Sequence, residues 1–241
     1  MKRILLFLVF SLCLPQILVA ETIEFDEEEL ARESVLPVFD NPAIVRSRLV
    51  ETKGRVEFVL NAGLSLNEAF YNTLNYGGVI GYHIDETNGV ELLFNSMAGG
   101  LSTYGEQLKR GEGLEAPNTF DASLAPSPKS MFSLNYHYTA YYGKISLSKQ
   151  TIMNLSLYFG GGAGMITIGE KQNPVVTLTM GQRLYYSSNV ALRIDLSVFT
   201  YQGPDPTSIS LATGSSPQPY SAFSEKLYIN PSFNIGLVLL L

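Results

Sequence analysis

The stretch NVALRIDLSVF (residues 189–199) decides the fold. In an extended chain successive side chains point to opposite faces. Val190, Leu192, Ile194, Leu196 and Val198 then share one face, and Ala191, Arg193, Asp195 and Ser197 the other. Period two fits two architectures. A soluble sandwich puts the aliphatics in its core and the charges in water. A membrane barrel puts the aliphatics in lipid and the charges in its lumen.

Seven further stretches alternate in the same way: GRVEFVLNAGL, NYGGVIGYHI, GVELLFNSMA, MFSLNYHYTAYYG, NLSLYFGGGAGM, PVVTLTMGQRLY and LYINPSFNIGLVLLL. They predict eight strands. DETNG, with Asn88-Gly89 as a hairpin signal, and YSSN read as tight turns. The two longest connections, residues 99–130 and 202–225, follow odd-numbered strands and therefore leave the same end of an up-and-down barrel. An even strand count, short turns at one end and long loops at the other are the pattern of a transmembrane barrel. A sandwich predicts no such asymmetry. The fold expected is all-β, an eight-stranded antiparallel up-and-down transmembrane β-barrel with a short N-terminal extension. Tyr82, Phe94, Tyr136, Tyr138 and Tyr142 are candidates for its aromatic girdle, since the chain has no Trp.

The N-terminal extension differs in composition. Residues 1–20 carry Lys2 and Arg3, then an apolar run from Ile4 to Leu12, then the small Ala20. This is the layout of a signal peptide. Phe10, Ser11 and Leu12, ahead of Cys13, fit a lipidation box poorly, and Cys13 is the only cysteine. Residues 21–51 hold nine acidic and three basic side chains, against 13 and 11 from residue 52 onward. They read as an acidic periplasmic segment, either a solvated tether or a piece that docks on the barrel rim or enters the lumen. Residues 52–241 form the barrel. No Lys/Arg cluster is present, so nucleic acid is excluded as a partner.

The expected inward faces carry Arg55, Glu57, His83, Glu91, His137, Arg183, Arg193 and Asp195. An eight-stranded barrel is just wide enough to be filled by side chains, and buried charges need partners. These residues are expected to form a polar network in the lumen; a narrow charged water path is the alternative. Catalysis is not expected. His137 lies two residues from Thr139 on one face, with no carboxylate evidently placed to orient it. Spaced metal ligands are missing, and GGGAG lies inside a strand with no helix after it, so no cofactor is expected.

LARESVLPVFD (residues 30–40), YYGKISL (141–147), LSLYFGGGAGM (155–165) and GQRLYYSSNVALRIDLSVF (181–199) together resemble the small outer-membrane β-barrel domain family of myxobacteria and their predatory relatives. The resemblance spans most of the chain after the signal and implies an outer-membrane barrel without a common assigned activity. Leu241 departs from the aromatic ending usual in such barrels. The expectation is a Gram-negative outer-membrane protein with a structural or surface-interaction role. Its partners would be membrane lipids and lipopolysaccharide, the assembly machinery, and an external ligand met by loops 99–130 and 202–225. A porin-like narrow channel and a lipid A-modifying enzyme are the alternatives.

Overall fold

The computed structural model describes residues 50–146 and 152–241. The expected signal peptide and nearly all of the acidic segment lie outside the described residues. Eight strands form a closed ring in which each pairs antiparallel with the next. They are β1 (Val56–Ser65), β2 (Tyr71–His83), β3 (Asn88–Leu101), β4 (Pro128–Ser146), β5 (Ile152–Ile168), β6 (Lys171–Tyr185), β7 (Val190–Pro204) and β8 (Glu225–Leu240). β1 closes the ring on β8, from Glu57 opposite Leu240 to Ser65 opposite Ser232. Closure leaves no unpaired strand edge.

The alternation in residues 189–199 resolves as a wall. Arg193, Asp195 and Ser197 are buried inside, while Leu192 and Leu196 remain 41% and 47% exposed outside. The other strands agree: Leu60, Leu134, Leu178, Ile229 and Leu237 all stand on the outer surface. A continuous exterior of this kind is not left facing water by a soluble protein. It suits a hydrocarbon surrounding, where every backbone group must be satisfied within the ring.

Two local readings change. Asn88 and Gly89 are not turn residues but the first two residues of β3. The turn is residues 84–87, where the Asp85 carboxylate accepts from the Thr87 and Asn88 backbone amides at 2.7 Å. Tyr142 does not join the girdle. The β4–β5 register shifts between Thr139 and Tyr141, and a bulge reverses which face the following side chains take. Tyr141 is thereby exposed, and Tyr142 packs inward beside Val59, Val79 and Tyr185. Tyr82, Phe94, Tyr136 and Tyr138 do face outward.

The long connections are structured. Residues 102–127 include helix α1 (Thr103–Lys109), capped by the Ser102 hydroxyl, which accepts from the Gly105 amide at 3.0 Å. The Asp121 amide donates to Leu211 O at 2.7 Å and the Gln218 amide to Leu124 O at 3.0 Å, which joins the β3–β4 and β7–β8 connections. Ala125, Leu211 and Phe223 form a small core between them. Both connections therefore build one roof over the same end of the barrel.

Asp121 anchors this roof. Burial pushes its carboxyl up, but the Ser123 hydroxyl and amide and the Lys109 ammonium outweigh that and hold it below the ordinary carboxylate value. The stabilisation is complete above the ordinary value of about 3.9 and is lost as pH falls through the lower folded one. Protection of the amides in residues 119–124 and 209–213, read as exchange relative to the intrinsic rate at each pH, should be high at pH 5–7 and should fall below about pH 3.9. Asp121→Asn should lower that protection at pH 5–7 by weakening the local contacts by about 1–2 kcal/mol, and the difference should shrink where Asp121 is itself protonated.

Candidate functional site in the barrel lumen

Seven of the eight expected lumen residues meet in one cluster. Arg183 on β6 and Arg193 on β7 are directly opposite in register, an arrangement that like charges disfavour. Two carboxylates from the far wall make it tenable. Arg183 Nε lies 3.0 Å from Glu57 Oε2, and its Nη2 2.9 Å from Glu91 Oε1. Arg193 Nη1 lies 3.2 Å from Glu57 Oε1 and 2.9 Å from Glu91 Oε1, and its Nε 2.7 Å from Asp195 Oδ2. Glu57 and Glu91 thus each bridge both guanidiniums.

The histidines extend the cluster. His83 Nε2 is 2.8 Å from Glu57 Oε2. His137 Nε2 is 3.3 Å from His83 Nδ1, and His137 Nδ1 is 3.2 Å from Glu91 Oε1. A carboxylate does therefore face His137, which the sequence did not disclose. Gly89 sits opposite His137, and a Cβ there would strike the imidazole. This close approach, not a turn, is what demands glycine at 89.

Tyr158 on β5 belongs to the site and went unrecognised in the sequence. Its hydroxyl donates to Asp195. Its ring centroid lies 4.1 Å from the Arg183 guanidinium carbon and 4.9 Å from that of Arg193, cation–π geometry for both. Gly181, opposite both Tyr158 and Asp195, leaves the room they occupy. Tyr158 falls on the inward face of its alternation, and that is the signal that was available.

Arg55 stands apart. It precedes β1, so alternation does not set its direction. Its guanidinium donates to the carbonyls of Ser188 at 2.8 Å and Leu240 at 2.7 Å, at the short-turn rim. Val50, at the end of the acidic segment, is buried in the apolar cluster with Val59, Val79 and Leu240. The Thr52 amide donates to the Glu86 carboxylate in the β2–β3 turn at 3.1 Å. The lead-in to β1 is thus docked on the rim.

The cluster fills the lumen. All of its charged side chains are at most 9% exposed, and the space enclosed beside them is about 20 Å³, room for one water. Toward the long-loop end a second apolar layer follows, with Met131, Ile166, Val175 and Phe199. Among the described residues, no group of three or more His, Cys, Asp or Glu is placed to hold a metal ion. A larger open cleft of about 1000 Å³ lies under the roof's edge, lined by Pro126, Lys129, Lys171, Pro219, Tyr220 and Phe223.

Several solved structures are similar to this chain. The N-terminal β-barrel domain of Pseudomonas aeruginosa OprF is 13% identical over 78% of this chain and 98% of its own, with a TM-score of 0.42. The Pseudomonas aeruginosa outer-membrane protein OprG is 8% identical over 80% and 98%, also at 0.42. A de novo designed transmembrane β-barrel is 10% identical over 80% and 99%, at 0.38. No family model matches the sequence, and no curated protein matches it. The eight-stranded closed barrel stands on its own strand pairing, and the myxobacterial resemblance on strand patterns alone.

Proposed function

We propose that the protein is an outer-membrane barrel with a structural or surface-interaction role, which binds through its roof of long connections and catalyses no reaction. The observation that carries this reading is the filled lumen, where Glu57, Glu91, Arg183 and Arg193 close the cross-section. A narrow channel needs a water path, and about 20 Å³ of space beside the charges does not provide one. A lipid A-modifying role needs a nucleophile or base within reach of an acyl chain, and His137, 1% exposed, is turned into the lumen. Lipids and lipopolysaccharide surround the wall, and the assembly machinery inserts it. The external ligand meets the cleft between residues 123–129 and 217–225.

The test is single-channel recording in a planar bilayer, on refolded protein whose gel mobility shifts on boiling. Silence at neutral pH is expected. Steady, reproducible steps would sink the closed-lumen reading and restore the channel. Cells lacking the cleft-forming parts of residues 99–130 and 202–225 should lose the surface phenotype while the barrel still folds; an unchanged phenotype would count against binding by the roof.

A further inference from the structure

The lumen cluster is short of one positive charge. Among the described residues, Glu57, Glu91 and Asp195 face only Arg183 and Arg193 as permanent cations. Two imidazoles complete the group. Their hydrogen bonds can be followed proton by proton, because each link between two such atoms needs one hydrogen.

His83 Nε2, 2.8 Å from the Glu57 carboxylate, must carry a hydrogen. If His83 is neutral, its Nδ1 is a bare acceptor. His137 Nε2, 3.3 Å from it, must then carry the next hydrogen. A neutral His137 would be left with a bare Nδ1, 3.2 Å from Glu91 Oε1. An uncharged, unpartnered ring nitrogen would then lie beside a carboxylate oxygen in a site closed to water. Among the described residues that nitrogen makes no hydrogen bond. One more proton converts this contact into an ion pair and brings the cluster to neutrality. Buried charge without compensation is strongly disfavoured.

We propose that the His83–His137 pair is a proton-binding site, holding one proton beyond those of two neutral imidazoles, and that this proton keeps the lumen plug closed. The ligand is a proton taken from water. The second half rests on the closed-lumen reading above. Every wall of the barrel bears on the site. β1 brings Glu57, β2 His83, β3 Glu91, β4 His137 and β7 Arg193 with Asp195. β5 brings Tyr158, its ring edge toward His137 at 6.0 Å between centroids. β6 brings Arg183, and β8 presents the uncharged Asn234 and Val238. The two arginines oppose the extra proton, and the three carboxylates outnumber them. Loss of the proton leaves the cluster with a net negative charge and sets Glu91 against His137. Glu91 is the residue shared by both guanidiniums, so its displacement loosens the plug at its centre.

The chain has only two histidines, both in the pair, so nitrogen NMR of refolded, 15N-histidine-labelled protein reads the site without assignment. At pH 7.5 three of the four ring nitrogens should carry hydrogen and one should be bare. Two bare nitrogens would overturn the proposal. Glu91→Gln removes the charge that the proton balances and offers an amide hydrogen to His137 Nδ1. That variant should show two bare nitrogens at the same pH, and three protonated ones would refute the part assigned to Glu91. If it does not fold, the wild-type count decides alone. In a planar bilayer, current should be absent at pH 7.5 and appear on alkalinisation together with the second bare nitrogen. Persistent silence after that nitrogen appears would refute control of the plug by the proton. Current already at pH 7.5 would sink the closed-lumen reading, while the nitrogen count would still establish or refute the proton itself.

Discussion

Arg193→Ala is expected to destabilise the barrel by about 3–5 kcal/mol. Arg193 is the one cation in contact with all three carboxylates of the cluster, Glu57, Glu91 and Asp195. Its removal leaves Asp195 with the Tyr158 hydroxyl alone among the cluster's charged and phenolic partners. A buried ion pair contributes modestly as a whole, but breaking one leaves the surviving charges buried without compensation. Urea unfolding in lipid vesicles, followed by the boiling-sensitive gel shift, measures the loss. A change under about 1 kcal/mol, the range of exposed pairs, would mean that the lumen is wetter than the geometry describes. The variant also vacates the volume of a guanidinium at the constriction, so channel-like current is expected from it at neutral pH, where the parent is silent.

Leu178→Arg tests the other face of the wall. Leu178 lies at the middle of β6, is 60% exposed, and has Val198 and Gly161 as its register partners. On a protein in water, an arginine at so exposed a site changes stability by no more than about 0.5 kcal/mol. At the midplane of a bilayer it costs about 2–4 kcal/mol. The same substitution at Tyr186, an exposed turn residue at the short-turn end, should cost about 0–1 kcal/mol. Unfolding free energies of the two variants in vesicles thus separate a lipid-facing wall from a solvated one. Equal, small effects would remove the membrane reading altogether.

The strands were legible because each follows one rule over its whole length. Residues 192–198 alternate strictly between apolar and polar, and their faces sort in the barrel as written. Glu57, Glu91, Arg183, Arg193 and Asp195 could be placed inside on the same ground. What alternation does not carry is position along and across the barrel. It put Arg55 on the inner face, although β1 begins one residue later and the side chain turns to the rim. It missed the bulge near Ala140, which sends Tyr142 inward, because one extra residue reverses the period and leaves no compositional mark. It left Glu91 and His137 unconnected, since their meeting depends on the β3–β4 register and on the empty place at Gly89. Tyr158 was placed on the correct face but was not seen as a partner of arginine, because an inward tyrosine is ordinary filling until its neighbours are known. Helix α1 was hidden by Gly105 within a seven-residue span, although Ser102, Glu106 and Lys109 stand where a cap, a first-turn acid and a last-turn base belong.

The central cluster also bears on how the chain reaches its final state. Glu57 lies 126 residues from Arg183 and 136 from Arg193, and Glu91 lies 92 and 102 residues from them. The β6–β7 hairpin, formed alone, would carry two adjacent guanidiniums against the single carboxylate of Asp195, and the β2–β3 hairpin would hold Glu91 without either arginine. Neither is at ease in hydrocarbon. The remaining charge is balanced only when β6 and β7 stand opposite β1 and β3, which lie in the first half of the chain. A sheet not yet closed between β1 and β8 therefore holds these charges without their full set of partners, a cost that ring closure removes. The residues that fill the lumen thus favour the closed ring over an open sheet.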